Sequence, residues 1–101
     1  MKLVLLQPVS AELEAAVEYY EAEQAGLGER LWLEVDHHLR WIVANATLPR
    51  LRRGDYRRVN LKVFPYYIAY ALRHETVVVL AIAHSHRLPE YWLARHPAEN
   101  D

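Results

Sequence analysis

The chain has 101 residues, 52% of them hydrophobic and 25% charged, a composition that suits one folded domain spanning 1–101 and excludes a disordered chain. It holds no cysteine, which excludes disulfide and thiolate chemistry and agrees with a reducing, cytoplasmic setting. The formal net charge of −1 hides a strong segregation of charge along the chain.

The first apolar run, Leu3 to Leu6, is cut short by Gln7 and Pro8. It is too short for a signal peptide or a membrane span and predicts a first strand. Ser10 is the expected N-cap of a following helix, with Glu12 and Glu14 in its first turn and Leu13, Ala16, Val17 and Tyr20 on one face. That helix should stop near Gly26, and a second, about Gly28 to Asn45, should bury Leu31, Val35, Leu39 and Ile42. The short AGLG junction makes the pair a helical hairpin.

From Ala46 to Asp55 the chain reads as a loop, bounded by Pro49 and by Gly54-Asp55. Three strands should follow, over Tyr56 to Leu61, Phe64 to Arg73 and Thr76 to His84. Short connections make them antiparallel neighbours. Pro65 has no amide hydrogen and must take a strand end or an edge position, and Arg73 to Thr76 is a credible hairpin turn without glycine. Helices early and strands late predict an α+β fold, with the hairpin covering one sheet face.

Within the last strand, seven consecutive apolar residues from Val77 to Ala83 suit burial on both faces. Where that strand meets water come His84, His86 and Arg87, then Pro89, Tyr91 and Trp92. A site is expected there. The competing reading is that the polar groups only solvate a strand end while the aromatic pair closes the core, and for Trp92 core closure is the favoured role.

Eight acidic residues lie between Ser10 and Asp36 against Arg30 alone, whereas six cations, Arg50, Arg52, Arg53, Arg57, Arg58 and Lys62, lie between Arg50 and Lys62 against Asp55 alone. One region repels anions and another attracts them. The basic segment suits docking on phosphates or on an acidic protein, and equally a solvated sheet edge guarded against aggregation.

Other constellations carry less. His84 and His86 can face the same way on a strand, but no Cys or paired carboxylate nearby completes a metal site. His37 and His38 point in different directions on a helix. No serine sits in a nucleophile elbow and no glycine-rich phosphate loop exists, so no cofactor is expected.

In order along the chain, GLGERLWLEVD, YRRVNLKVFPYYIAY, VVVLAIAHSHR and LPEYW resemble the ParE branch of the RelE/ParE toxin superfamily. The most specific parts are the FPY run with its alternating strand, Phe64 to Tyr70, and the H-x-x-R-x-P-x-x-W pattern of His84, Arg87, Pro89 and Trp92. The resemblance implies a β-α-α-β-β-β fold with the helical hairpin packed on a small antiparallel sheet. It also implies the toxin of a type II toxin-antitoxin module, of the plasmid-stabilisation kind, held in a hetero-oligomer by a cognate antitoxin along the hairpin and sheet edge. Trp32 and Trp41, outside the helical stripe, with Arg52 and Arg53, are the expected antitoxin contacts.

RelE-like endoribonucleases, the mRNA interferases of the superfamily, present lysines on the strand after the hairpin, an arginine on the next, an arginine after the last strand and a tyrosine near the C-terminus. Here Arg58 and Asn60 replace the lysines, Tyr67 replaces the central arginine, Arg87 matches, and Tyr91 is offset. If the chain cuts RNA, its acid, base and phosphate clamps are Arg87, Arg58, Tyr91 and His84. The departures favour the other branch, in which the toxin inhibits DNA gyrase by protein contact without chemistry. The target contacts are then Arg87, His84, Trp92, Arg57 and Arg58, because arginine and tryptophan concentrate interface energy.

Overall fold

The computed structural model describes residues 1–97; the last four, which the single-domain reading also includes, lie outside the described residues. The element order is β1 (Lys2–Leu5), α1 (Gln7–Glu23), α2 (Leu27–Ala44), β2 (Arg57–Asn60), β3 (Tyr66–Arg73) and β4 (Thr76–His84), followed by a single 3₁₀ turn at Leu93–Arg95. This is the expected order, and β4 has the expected bounds.

Three local expectations change. Ser10 does not cap α1: the helix begins at Gln7 with Pro8 in its first turn, where a missing N–H costs nothing and the fixed φ already suits a helix. The cap position falls on Leu6, which has no capping side-chain hydrogen bond. At the other end α1 stops at Glu23, and Gly26 takes a φ of +90° as the cap of α2 rather than as the end of α1. Tyr56 stays outside β2 and instead bridges Arg52, closing a tight loop through Gly54 and Asp55, both with positive φ.

The four strands form one sheet in the order β1-β4-β3-β2. β2, β3 and β4 are antiparallel neighbours as expected, but β1 joins the far side of β4 in parallel, so the sheet is mixed. Parallel pairing needs a long connection, and here the helical hairpin and two strands intervene. Pro65 sits immediately before β3, where no ladder hydrogen bond is asked of it. The two-residue turn between β3 and β4 places His74 at a φ of +55°, a conformation histidine tolerates better than most residues.

β3 and β4 are buried on both faces, and two apolar clusters account for it. On one face Ile68, Tyr70, Val77, Val79 and Ile82 pack against Val9 and Ala16 of α1 and Leu31, Val35, Leu39 and Ile42 of α2. The four α2 residues are those of the predicted stripe. On the other face Tyr67, Ala69, Ala71, Val78, Leu80, Ala81 and Ala83 pack under Tyr56 and Trp92. The C-terminal segment therefore acts as a second layer, and the double-sided burial of Val77 to Ala83 follows from it. The ladder between β3 and β4 slips by one residue at Ala69/Tyr70, leaving Leu80 as the extra residue of a β-bulge.

Candidate functional site

At the open end of β4 the chain turns sharply. The amide of Ser85 donates to the carbonyl of Pro65 and that of Arg87 to the carbonyl of His84, which brings His84, Arg87 and Tyr91 to the edge of α1. Together with Glu12, Tyr19 and Tyr66 they line an open crevice of about 280 Å³. Arg87 is exposed, its guanidinium carbon 4.1 Å from the centre of the Tyr91 ring. No ion pair engages it among the described residues. His84 is half-buried against the Tyr66 ring, and its Nδ1 accepts the amide of His86 at 3.0 Å.

Glu12 organises this corner. Its carboxylate accepts from the Tyr91 hydroxyl at 2.7 Å, from the Ile82 amide at 3.2 Å and from the Arg95 guanidinium at 3.1 Å. Arg95 also donates to the carbonyl of Leu80 at the bulge. Helix α1, strand β4 and the C-terminal segment thus share one half-buried carboxylate, where charge-assisted bonds are stronger than between neutral groups. Burial, then the hydrogen bond to Glu12 and its negative charge, push the Tyr91 hydroxyl up to about 12, against the opposing pull of Arg87 and Arg95. The sequence reading did not single out Glu12 or Arg95 as site residues. The signal for Glu12 was present, since Val9, Glu12 and Ala16 share one helical face and a carboxylate on a buried stripe needs partners.

The remaining expected contacts divide. Trp92 is 1% exposed, its indole N–H donating to the Tyr67 hydroxyl, so the expectation that it touches a target directly is corrected: it closes the core. Arg57 and Arg58 are adjacent on a strand and diverge to opposite faces. Arg57 turns toward the helices and donates to the Pro49 carbonyl, whereas Arg58 lies 3.9 Å over the Tyr67 ring and holds the Asn60 side chain with two nitrogens. The four residues of the ribonuclease alternative therefore do not converge. Arg87, Tyr91 and His84 meet at the α1 edge, Arg58 is on the far face of β2, and the Tyr91 hydroxyl is already donated to Glu12.

The expected antitoxin contacts do not form one patch either. Trp32 and Trp41, 48% and 37% exposed, are half a turn apart in phase on α2. Trp32 lines the cleft with Leu13 and Val17 of α1, and Trp41 lines a larger groove toward β2. Arg53 is exposed in the following loop, and Arg52 is half-buried there.

Among the described residues no group of His, Asp and Glu is arranged to hold a metal, and no helix is long and apolar enough to cross a membrane.

Residues 3–89 match the family model described as the ParE toxin of the type II toxin-antitoxin system, parDE. A solved structure described as the chromosomal ParDE TA system from P. aeruginosa is similar in fold, with a TM-score of 0.69 and 18% identity over 83% of this chain and 95% of that chain. No curated protein matches the chain.

Proposed function

The chain belongs to the ParE toxin family of type II toxin-antitoxin systems, and on that premise we propose that it arrests growth by binding DNA gyrase and is neutralised by a cognate antitoxin. Residues 1–101 act as one toxin domain in the cytoplasm, and the target is gripped by the surface around Arg87 and His84. The observation that supports this most is the state of Arg87. It stands at the end of a fully buried strand, exposed and stacked on a tyrosine that Glu12 and Arg95 hold in place. A pre-positioned guanidinium loses little freedom on binding, which is what makes arginine an interface anchor.

Inducing the chain in bacteria while following plasmid supercoiling, the DNA-damage response and transcript integrity tests the proposal. Loss of gyrase-dependent supercoiling with intact transcripts is the expected result. Rapid transcript cleavage with normal supercoiling would overturn it in favour of a ribonuclease, and absence of any growth defect would overturn the toxin activity itself.

A further inference from the structure

Of the six cations that cluster between Arg50 and Lys62, Arg57 is consumed inside the fold, its Nε donating to the Pro49 carbonyl at 2.9 Å, and Lys62 lies beyond the end of β2. The other four are gathered before and on β2. Arg50 and Arg53 are exposed and Arg52 is half-buried in the preceding loop, and Arg58 follows on the strand itself. None of the four is in an ion pair among the described residues, and none lines the crevice at Arg87.

The backbone that carries them is fixed. The Arg52 amide donates to the Tyr56 carbonyl at 2.8 Å, the Asp55 amide returns to the Arg52 carbonyl at 3.0 Å, and a ring nitrogen of His96 lies 2.7 Å from the Asp55 carbonyl oxygen. Residues opposite each other in an antiparallel pair, or two apart on a strand, project to the same side, so Arg52, Tyr56 and Arg58 form one row. Both guanidiniums come close enough to the Tyr56 hydroxyl to oppose the rise in its pKa that burial and Glu90 cause. Arg58 is stacked on Tyr67 and held through Nε and Nη2 by Asn60, which leaves Nη1 open. Two carboxylates, Asp55 and the Glu90 that Tyr56 engages, stand among four guanidiniums, so the surplus is positive.

We propose that Arg50, Arg52, Arg53 and Arg58 bind the phosphate backbone of duplex DNA. A guanidinium fork pairs two N–H groups with two phosphate oxygens, and a fixed backbone lowers what is lost in ordering. The narrow turn at the sheet edge is a projection and not a hollow, so it suits a surface of regular charge better than a protein segment that needs pockets for its side chains. The acidic hairpin turns away from the same duplex, and the segregated charge orients the molecule. Phosphate contacts carry no sequence information, so this binding is indifferent to sequence. The proposal rests on the gyrase reading only for the source of the duplex, the DNA on which that enzyme acts, and it reassigns Arg52 and Arg53 from antitoxin to nucleic acid.

The test is fluorescence polarisation of two short fluorescein-labelled duplexes of unrelated sequence with the full purified chain. The expected result is equal affinity for both, falling with salt along a log–log slope of about −3 to −4, the value for four phosphates. Arg53→Gln should weaken both alike and make the slope shallower by about one. The double variant Arg50→Glu/Arg53→Glu, at two exposed positions, should weaken binding at least about tenfold while keeping the circular dichroism of the parent. Leu48→Ala/Leu51→Ala, which trims the two exposed leucines of the same loop, should leave it unchanged. No binding at low salt, a strong preference for one duplex, indifference to the arginine variants, or an equal loss in the leucine variant, which would mark an apolar surface for protein or lipid, would overturn the proposal. Loss of supercoiling in cells from a chain that binds no duplex removes this proposal and leaves the gyrase reading, whereas duplex binding without loss of supercoiling does the reverse.

Discussion

The indole N–H of Trp92 donates to the Tyr67 hydroxyl at 2.9 Å, and the same indole meets the Tyr56 ring edge-on at a centroid distance of 4.7 Å. One buried side chain from the C-terminal segment therefore fastens both the start of β3 and the loop before β2. Trp92→Ala should lower the unfolding free energy by about 3–5 kcal/mol, through lost burial and an unfilled cavity. Urea denaturation would show it. A variant as stable as the parent would mean that the far sheet face is not closed in this way.

Arg87 should behave in the opposite manner. Arg87 is exposed and its guanidinium stacks on the Tyr91 ring, so Arg87→Glu should abolish growth inhibition while moving stability by no more than about 1 kcal/mol, the scale of an exposed cation–π contact. Arg87→Lys keeps the charge without the planar fork and should retain only part of the effect. Colony counts after induction, paired with thermal melts of the purified variants, separate loss of function from loss of fold.

Tyr91 makes stability fall in alkali. An unfolded tyrosine ionises near 10.0, whereas in the folded chain burial and the bond to Glu12 hold the Tyr91 proton to about 12. Between those values the folded state binds more protons than the unfolded one, so this contribution is intact below about pH 10 and is lost as pH rises toward 12. The urea midpoint of the parent should drop across that window. Tyr91→Phe should flatten the drop in part, since Tyr20, Tyr56, Tyr66 and Tyr70 are raised by burial as well.

Gly28 lets the two helices approach. A methyl group there would lie 2.5 Å from the Val17 carbonyl and 2.9 Å from the Glu21 carboxylate, whose oxygens accept the amides of Gly26 and Gly28. Alanine normally favours a helix over glycine by about 1 kcal/mol. Here the clash with backbone should reverse the sign, so Gly28→Ala should destabilise by about 1–3 kcal/mol in thermal or urea melts.

Much of this architecture was legible in the sequence because single segments dictate it. The run Val77 to Ala83 marked β4 and its double burial, and the 3.6-residue spacing of Leu31, Val35, Leu39 and Ile42 marked the core face of α2. What could not be read depends on distant partners. The parallel place of β1 is set by pairing with residues seventy-odd positions away. The start of α1 is a local matter: Pro8 itself suits the first turn of a helix, which puts Ser10 inside α1 rather than at its cap. The site was half legible. Arg87 and His84 stand where the strand end promised, but Glu12, which positions Tyr91 beside Arg87, needed three donors from two other parts of the chain to become visible. The divergence of Arg57 from Arg58 was available all along from the two-residue period of a strand.

The register of β1 on β4 has a consequence for how the molecule is made. Lys2 pairs with Thr76 and Leu5 with Val79, so β1 must wait for β4, and α1 waits with it for the Ile82 amide that Glu12 accepts. Contacts so remote in sequence slow folding. A nascent chain emerging from the ribosome therefore carries no finished sheet until β4 has been translated, and the surface around Arg87 cannot assemble before then.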